Sequence, residues 1–371
     1  MKIRIIFGNF LTSDGKEYVI GGIETYIKNL CYLTMKHQME AIVYQFADKD
    51  FHIKKDGIEV KGKWCAKNKI SKLVEFAEDD GDVNVDLLIF ATDYDIVNTA
   101  YKKVIGIQHG VSWDIVTYGV DNRIGNFIHI LKDIVRIAVK LRRYSLCKNL
   151  VCVDYNFINW YRTKVQYISN RFYVVPNFTQ IPDFTKKDAD SDVVKIIFAR
   201  RLVEYRGTKL FADALERILE KRENIAVTIA GDGPDKAWLE EKFKGCTSIS
   251  FTNYNSDDSI KIHKQHDIAI VPTIGSEGTS LSLLEAMASG CAVIATNIGG
   301  MTNIILDGFN GLMIDPDADE LYEAMIKLLT ETDLRKKLAA NAYITVKESF
   351  SHEKWEENWL KVIRKVTDGK R

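Results

Sequence analysis

Residues 267–290 read DIAIVPTIGSEGTSLSLLEAMASG, and the order of residue types in that stretch decides which fold class to expect. Ile268 to Val271 is a short apolar run rich in β-branched residues, which suits a strand buried on both faces of a parallel sheet. A loop with Gly275, Ser276, Glu277 and Gly278 follows. Thr279 or Ser280 then stands where a helix N-cap belongs, ahead of Leu281, Leu283, Leu284, Ala286 and Met287. Gly290 closes the helix. Such a strand–loop–helix unit leaves free backbone N–H groups at the carboxyl edge of a sheet, where unsatisfied amides and the helix dipole favour an anion, so the stretch reads as a phosphate seat.

Glu277 and Glu285 flank that seat. Carboxylates repel phosphate, so if they face the ligand they grip its hydroxyls, which donate to ionised oxygens. A ligand with phosphate in the middle and hydroxyls on both sides is a nucleotide-sugar. The competing reading is a plain sheet–helix unit with a solvated Glu277 and a salt-bridged Glu285. The run Glu277-Gly278-Thr279-Ser280-Leu281-Ser282-Leu283-Leu284-Glu285 resembles the paired-glutamate motif of the retaining family-4 glycosyltransferases (glycosyl transferases group 1) of GT-B fold. The resemblance implies that Glu277 lies near the donor sugar, that Glu285 holds the ribose, and that Gly278, Thr279, Ser280 and Leu281 line the donor.

Length and composition agree with a two-domain soluble protein. The chain has 371 residues, against roughly 150 per domain, and is 46% hydrophobic and 27% charged. Lys+Arg and Asp+Glu both number 51, so the net charge is zero and nothing calls for nucleic acid. The six cysteines form no C-x-x-C pair and read as reduced thiols of a cytoplasmic protein. The N-terminal MKIRIIFGNF is too short and too interrupted by Arg4 for a signal peptide and reads as a first strand. No apolar run reaches the roughly 18 to 20 residues that span a bilayer. A soluble or peripheral location is therefore expected.

Apolar strand candidates alternate with amphipathic helix candidates through both halves, the pattern of doubly wound α/β domains. They fall at residues 3–7, 41–46, 86–91, 104–108, 150–153 and 172–175, then at 194–199, 226–230, 249–251, 268–271, 292–295 and 312–314. Residues 176–192, with two of the five prolines, read as the linker. The expected layout is an α/β GT-B architecture of two Rossmann-like domains, 1–180 on the acceptor side and 181–348 for the donor. A C-terminal helix, 349–371, is expected to cross back to the first domain.

Four further sites carry chemistry. Gly21 and Gly22 open a helix candidate, where paired glycines let a ligand approach the backbone. His109 follows an apolar strand at its carboxyl end, where open α/β sheets bind ligands; it resembles the family position whose imidazole lies beside the donor sugar. Arg201 and Arg206 match the family's Arg and Lys that clamp the donor diphosphate, with Arg206 departing from the commoner Lys. Gly231, in a Gly-Asp-Gly-Pro turn, and Tyr254 match positions near the nucleotide. Two patterns are set aside as metal sites: Asp93-Tyr94-Asp95, which mimics the D-x-D of another fold, and His263 with His266, which lack a carboxylate or Cys cluster. No metal and no cofactor are expected.

The run FIHILKDIVRIAVKLRRYSLCK, 127–148, predicts an amphipathic helix. Ile130, Ile134, Ile137, Ala138 and Leu141 gather on one side and are expected to pack inward. Lys132, Arg136, Lys140 and Arg143 gather on the other and are expected to form a basic face for an anionic inner membrane leaflet. Through the resemblance, the chain reads as a metal-independent hexosyltransferase. It would move sugar from a nucleotide-sugar, expected to be a UDP-sugar, to a glycan or lipid-linked glycan in bacterial surface polysaccharide synthesis. An epimerase or phosphorylase of the same fold, or a non-catalytic glycan- or nucleotide-binding subunit, are the alternatives.

Overall fold

The computed structural model describes residues 1–19, 21–110, 123–164, 171–184, 193–221, 224–275 and 277–368. The chain divides into two compact units. The first holds the described residues of Met1–His109, Val120–Val175 and Glu356–Arg371, and the second holds those of Pro176–Trp355 together with Gly110.

The first unit is built on eight strands: β1 (Lys2–Ile6), β2 (Glu40–Phe46), β3 (Phe51–Lys55), β4 (Ile58–Lys63), β5 (Leu87–Phe90), β6 (Lys103–Gln108), β7 (Asn149–Cys152) and β8 (Arg171–Val174). Their order is β3-β4-β2-β1-β5-β6-β7-β8. Every neighbouring pair is parallel except β3 with β4. The central strands are apolar on both faces, as in Leu87 to Phe90, because helices cover both sides of a parallel sheet. Four helices accompany them: α1 (Gly22–Lys36), α2 (Ile70–Asp79), α3 (Arg123–Tyr144) and α4 (Asn156–Lys164). The β3–β4 hairpin lies outside the expected strands. Its two-residue turn, Asp56-Gly57, has φ of +49° and +83°, the left-handed geometry that suits tight hairpins.

The second unit carries β9 (Val194–Ala199), α5 (Thr208–Leu219), β10 (Ile225–Ala230), α6 (Lys236–Lys242), β11 (Ile249–Thr252), α7 (Ser259–Lys264), β12 (Ile268–Val271), α8 (Leu281–Ala288), β13 (Ala292–Thr296), β14 (Leu312–Ile314), α9 (Ala318–Thr330) and α10 (Thr332–Ser349). The strand order is β11-β10-β9-β12-β13-β14, all parallel. Alternate residues of β9 feed opposite cores: Ile196 and Phe198 pack with Phe211, Leu215 and Leu321, while Ile197 and Ala199 pack with Leu284, Met287 and Val346. The chain steps outward from β9 to β11, then returns to β12 on the other side. The carboxyl ends of β9 and β12 are thus a topological switch point, where a crevice forms.

The last helix, α11 (His352–Thr367), starts in the second unit, and its residues from Glu356 onward belong to the first. There Trp359, fully buried, donates from Nε1 to the Tyr26 hydroxyl at 2.8 Å. Among the described residues, no helix is long and apolar enough to cross a membrane.

Helix α3 corrects an expectation. Lys140 is not on an outer basic face: it is buried, with Nζ 3.2 Å from Asp93 Oδ2. Arg143 donates to the Tyr94 carbonyl at 2.9 Å. On the other side Ile134, expected inside, is 56% exposed, and Ala138 is exposed as well. Lys132 and Arg136 do face solvent. The cause is Asp93, whose buried carboxylate requires a counter-charge. An unpaired buried charge costs more than the roughly 1.5–3 kcal/mol that burying an isoleucine returns, so the helix turns its lysine inward.

Candidate functional site

The switch point of the second sheet brings together the loops that follow β9 and β12. Gly207, at φ +83°, ends the first loop against Pro272 of the second, and a Cβ there would come within 1.8 Å of the Pro272 carbonyl oxygen. The loops also share hydrogen bonds, the amides of Ile274 and Gly275 both donating to the Tyr205 carbonyl at 3.0 and 3.1 Å. Behind the first loop, Gly231 (φ +136°) lies flat against the Arg200 carbonyl, where a Cβ would sit 2.1 Å from oxygen. Residues with side chains cannot occupy these positions without moving the backbone.

Glu277 is the focus of the two loops. Its Oε2 receives Arg200 Nη2 at 3.0 Å and the Thr273 hydroxyl at 3.2 Å, and it also pairs with Arg206 Nη1. Arg200 Nη1 donates in turn to Thr273 Oγ1 at 2.8 Å. The Glu277 amide carbonyl accepts from the Gly300 N–H at 2.9 Å, which fixes the loop from behind. Burial, then the neighbouring guanidinium of Arg206, pull the Arg200 pKa down to about 9, which still leaves it cationic at neutral pH. Arg206 is lowered chiefly by burial, with Arg201 adding to the effect. Arg201 itself is exposed. Three arginines and one carboxylate therefore share this place, and the excess is positive.

Glu285 lies one helical stretch further on, within α8. Ser259 Oγ donates to its Oε2 at 2.5 Å. Burial pushes the Glu285 carboxyl up to about 7, the Ser259 hydrogen bond acting against that shift. Tyr254 is also raised, mainly by burial and then by the Glu285 charge, while Arg200 acts on it in the opposite sense. Tyr254 thus lies within electrostatic range of both the arginine cluster and Glu285. Ser280 is the N-cap of α8, extended in its backbone, with no side-chain cap hydrogen bond, and Leu281 begins the helix. The Thr279 carbonyl accepts from Asn177 Nδ2 at 2.7 Å.

The remaining expected site residues lie in the first unit. His109 is half-buried, and its Nε2–H donates to the Ala91 carbonyl at 2.9 Å. Tyr26 meets its ring edge-on at 5.1 Å between centroids. Burial lowers its pKa, so the imidazole is neutral at pH 7. Gly21 is the N-cap of α1 and Gly22 its first residue. Asp93 is engaged by Lys140 and by the Tyr144 hydroxyl at 2.5 Å. His263 and His266 bond backbone carbonyls of Ser259 and Ile262, each at 2.8 Å, and His266 also meets Thr228 Oγ1.

Sequence reasoning named Glu277, Glu285, Tyr254, Gly231 and the pair Arg201 and Arg206, and the structure gathers these in one unit. It missed Arg200, Thr273 and Ser259. Arg200 was legible only as half of an Arg-Arg doublet at a strand end, and nothing in the doublet says which side chain turns inward.

Residues 180–345 match the family model described as Glycosyl transferases group 1. An uncharacterized glycosyltransferase of Methanocaldococcus jannaschii is 26% identical over 274 residues, which is 72% of this chain and 69% of that protein. Among solved structures, sucrose-phosphate synthase from Thermosynechococcus elongatus superposes with a TM-score of 0.74 at 14% identity, covering 100% of both chains. Anabaena HepE in complex with UDP-glucose superposes with a TM-score of 0.70 at 15% identity, covering 98% of this chain and 99% of that one. The fold is GT-B, and the family match together with the named relative supports a glycosyltransferase.

Proposed function

We propose that the chain is a retaining, metal-independent hexosyltransferase that uses a nucleotide-sugar, a UDP-sugar in the first instance, and glycosylates a hydroxyl of a glycan or lipid-linked glycan in bacterial surface polysaccharide synthesis. The observation that carries this reading is the convergence of Arg200, Arg206 and Glu277 at the switch point, with Arg201 beside them and Glu285 half-buried in the adjoining helix. Positive excess beside a helix N-terminus suits a diphosphate. Carboxylates on either side suit the hydroxyls of sugar and ribose. That a fold neighbour was solved with UDP-glucose supports the choice of donor.

In this reading the bond between the anomeric carbon and the donor phosphate breaks as the acceptor oxygen bonds to that carbon on the same face. The acceptor proton passes to the departing phosphate oxygen. Arg201, Arg206 and the amides at the start of α8 stabilise the charge that builds on the leaving diphosphate, which is the electrostatic contribution most valuable in such a step. In this reading Asp93 is a structural carboxylate, held by Lys140 and Tyr144. In this reading the enzyme works at the cytoplasmic leaflet, with the exposed side of α3 as its contact.

A thermal-shift panel of nucleotide-sugars tests the donor, because ligand at 100 times its dissociation constant adds about 2.7 kcal/mol of stability. Product analysis then tests the reaction: acceptor-dependent release of nucleoside diphosphate, unaffected by EDTA, supports it. Conversion of the nucleotide-sugar without acceptor replaces it with an epimerase.

A further inference from the structure

Arg200 and Arg206 both contact Glu277, but they are not equivalent. The Arg200 side chain is 5% exposed and is tied at its other nitrogen to Thr273, whereas Arg206 is 25% exposed and lies with its guanidinium 5.2 Å from the Tyr205 ring. Arg200 is therefore the more tightly held of the two, while Arg206, which also bonds Tyr205, keeps the more exposed side from which a ligand can be reached. If Arg206 serves the donor diphosphate, it exchanges its single carboxylate partner for a group of higher negative charge. That exchange removes a cation from Glu277 at the moment a second anion arrives. A carboxylate that is only 10% exposed would then face a diphosphate without a counter-charge, which favours its protonation or its displacement.

We propose that Arg200 is the positioning residue that prevents this: it holds the Glu277 carboxylate ionised and in place while Arg206 transfers from Glu277 to the donor phosphate. The inference rests on the glycosyltransferase reading. It makes the Arg206–Glu277 pair a feature of the empty site and the Arg200–Thr273–Glu277 triangle a feature of both states. Arg200 acts through Glu277 and touches neither sugar nor phosphate.

The test compares wild type, Arg200→Gln, Arg200→Lys, Glu277→Gln and the double variant Arg200→Gln/Glu277→Gln, all with the UDP-sugar selected by the thermal-shift panel. Arg200→Gln should lower kcat by roughly 10²-fold, the scale of a misplaced catalytic group, with a much smaller change in KM. It should also move the acid limb of kcat, which reports the donor-bound state, to higher pH, because Glu277 then loses the cation that keeps it ionised. Arg200→Lys should recover part of the rate and most of the acid limb. In the Glu277→Gln background the Arg200 substitution should cost nothing further. Folding is checked by thermal melting, and if Arg200→Gln does not fold, Arg200→Met, which also removes the charge, carries the pH comparison. Additive losses in the double variant, or an unmoved acid limb in the variant that removes the Arg200 charge, would overturn the proposal. Absence of turnover in the wild type with every donor removes both this proposal and the reading beneath it.

Discussion

Lys140 Nζ stands 3.2 Å from Asp93 Oδ2 with the two side chains 9% and 4% exposed, so the C-terminal end of α3 is held to the turn after β5 by a buried ion pair. The Tyr144 hydroxyl, one turn along the helix, donates to the same carboxylate oxygen at 2.5 Å. Lys140 and Tyr144 are four residues apart and share a face, as two groups gripping one carboxylate must.

Removing one member of this pair strands the other. Lys140→Met should destabilise the first unit by about 3–5 kcal/mol, the usual loss when half of a buried pair is deleted. Lys132→Met, on the exposed side of the same helix, should stay within about 0.5 kcal/mol of wild type. Combining Lys140→Met with Asp93→Asn should restore much of the loss. Urea denaturation measures all three, and equal stability of the two single variants would show that the pair holds nothing.

Glu285 makes stability depend on pH in a calculable direction. Its carboxyl is pushed up to about 7 from an ordinary 4.5 by burial, so between those values the folded chain keeps a proton that the unfolded chain has released. Stability must then fall as pH rises from 4.5 to 7 and level off above, by roughly 3 kcal/mol for this group. Glu285→Gln keeps an acceptor for Ser259 and removes the titration. Its melting temperature should exceed that of wild type at about pH 8 and converge with it at about pH 4. A constant difference across that range would mean that Glu285 does not titrate there.

The two glutamates should separate in function. Glu277 is bound to arginines that are themselves candidates for the phosphate, so Glu277→Ala releases Arg206 and should leave nucleotide affinity intact or higher while turnover drops by about 10²- to 10³-fold. Glu285→Ala removes a hydrogen-bonding carboxylate assigned to the ribose and should weaken nucleotide binding by about 10- to 100-fold. Calorimetry with UDP alongside initial rates measures both. Matching losses of UDP affinity would remove the division of labour.

The parts of this molecule that were legible in its sequence are those where one periodicity dominates. The expected strands recur because apolar runs such as Leu87 to Phe90 and Ile268 to Val271 have no other way to bury both faces. The β3–β4 hairpin was not anticipated, although Asp56-Gly57 between alternating residues is its signal; His52, Lys54, Glu59 and Lys61 gave the run a polar cast that hid the alternation. Arg200 and Lys140 were misjudged for a common reason. Each is a cation turned inward by a carboxylate distant in sequence, Glu277 and Asp93, and helical or strand periodicity carries no information about such a partner.

The inward turn of Lys140 changes the prediction for membranes. With that residue and Arg143 engaged at the Asp93–Tyr94 turn, the outer arc of α3 presents Ile134 (56% exposed), Val135 (63%), Ala138 and Val139 (48%), bordered on one side by exposed Lys132 and Arg136. An apolar arc beside a basic edge is the composition of a helix that lies in the headgroup region, apolar side down. Each basic residue adds about 1 kcal/mol near an anionic leaflet, and the apolar arc adds a part that salt does not screen. Co-sedimentation with vesicles of anionic lipid should therefore show binding that weakens as salt rises but does not vanish, and vesicles of zwitterionic lipid should retain far less protein. Lys132→Glu with Arg136→Glu should remove the salt-sensitive part, and Val135→Asp with Val139→Asp the remainder. Lys140→Glu is not a valid probe, because it places a second carboxylate against Asp93 and acts on folding. Protein that ignores anionic vesicles, or that binds them equally after all four substitutions, would mean that this arc does not meet a membrane and that the acceptor reaches the enzyme from solution.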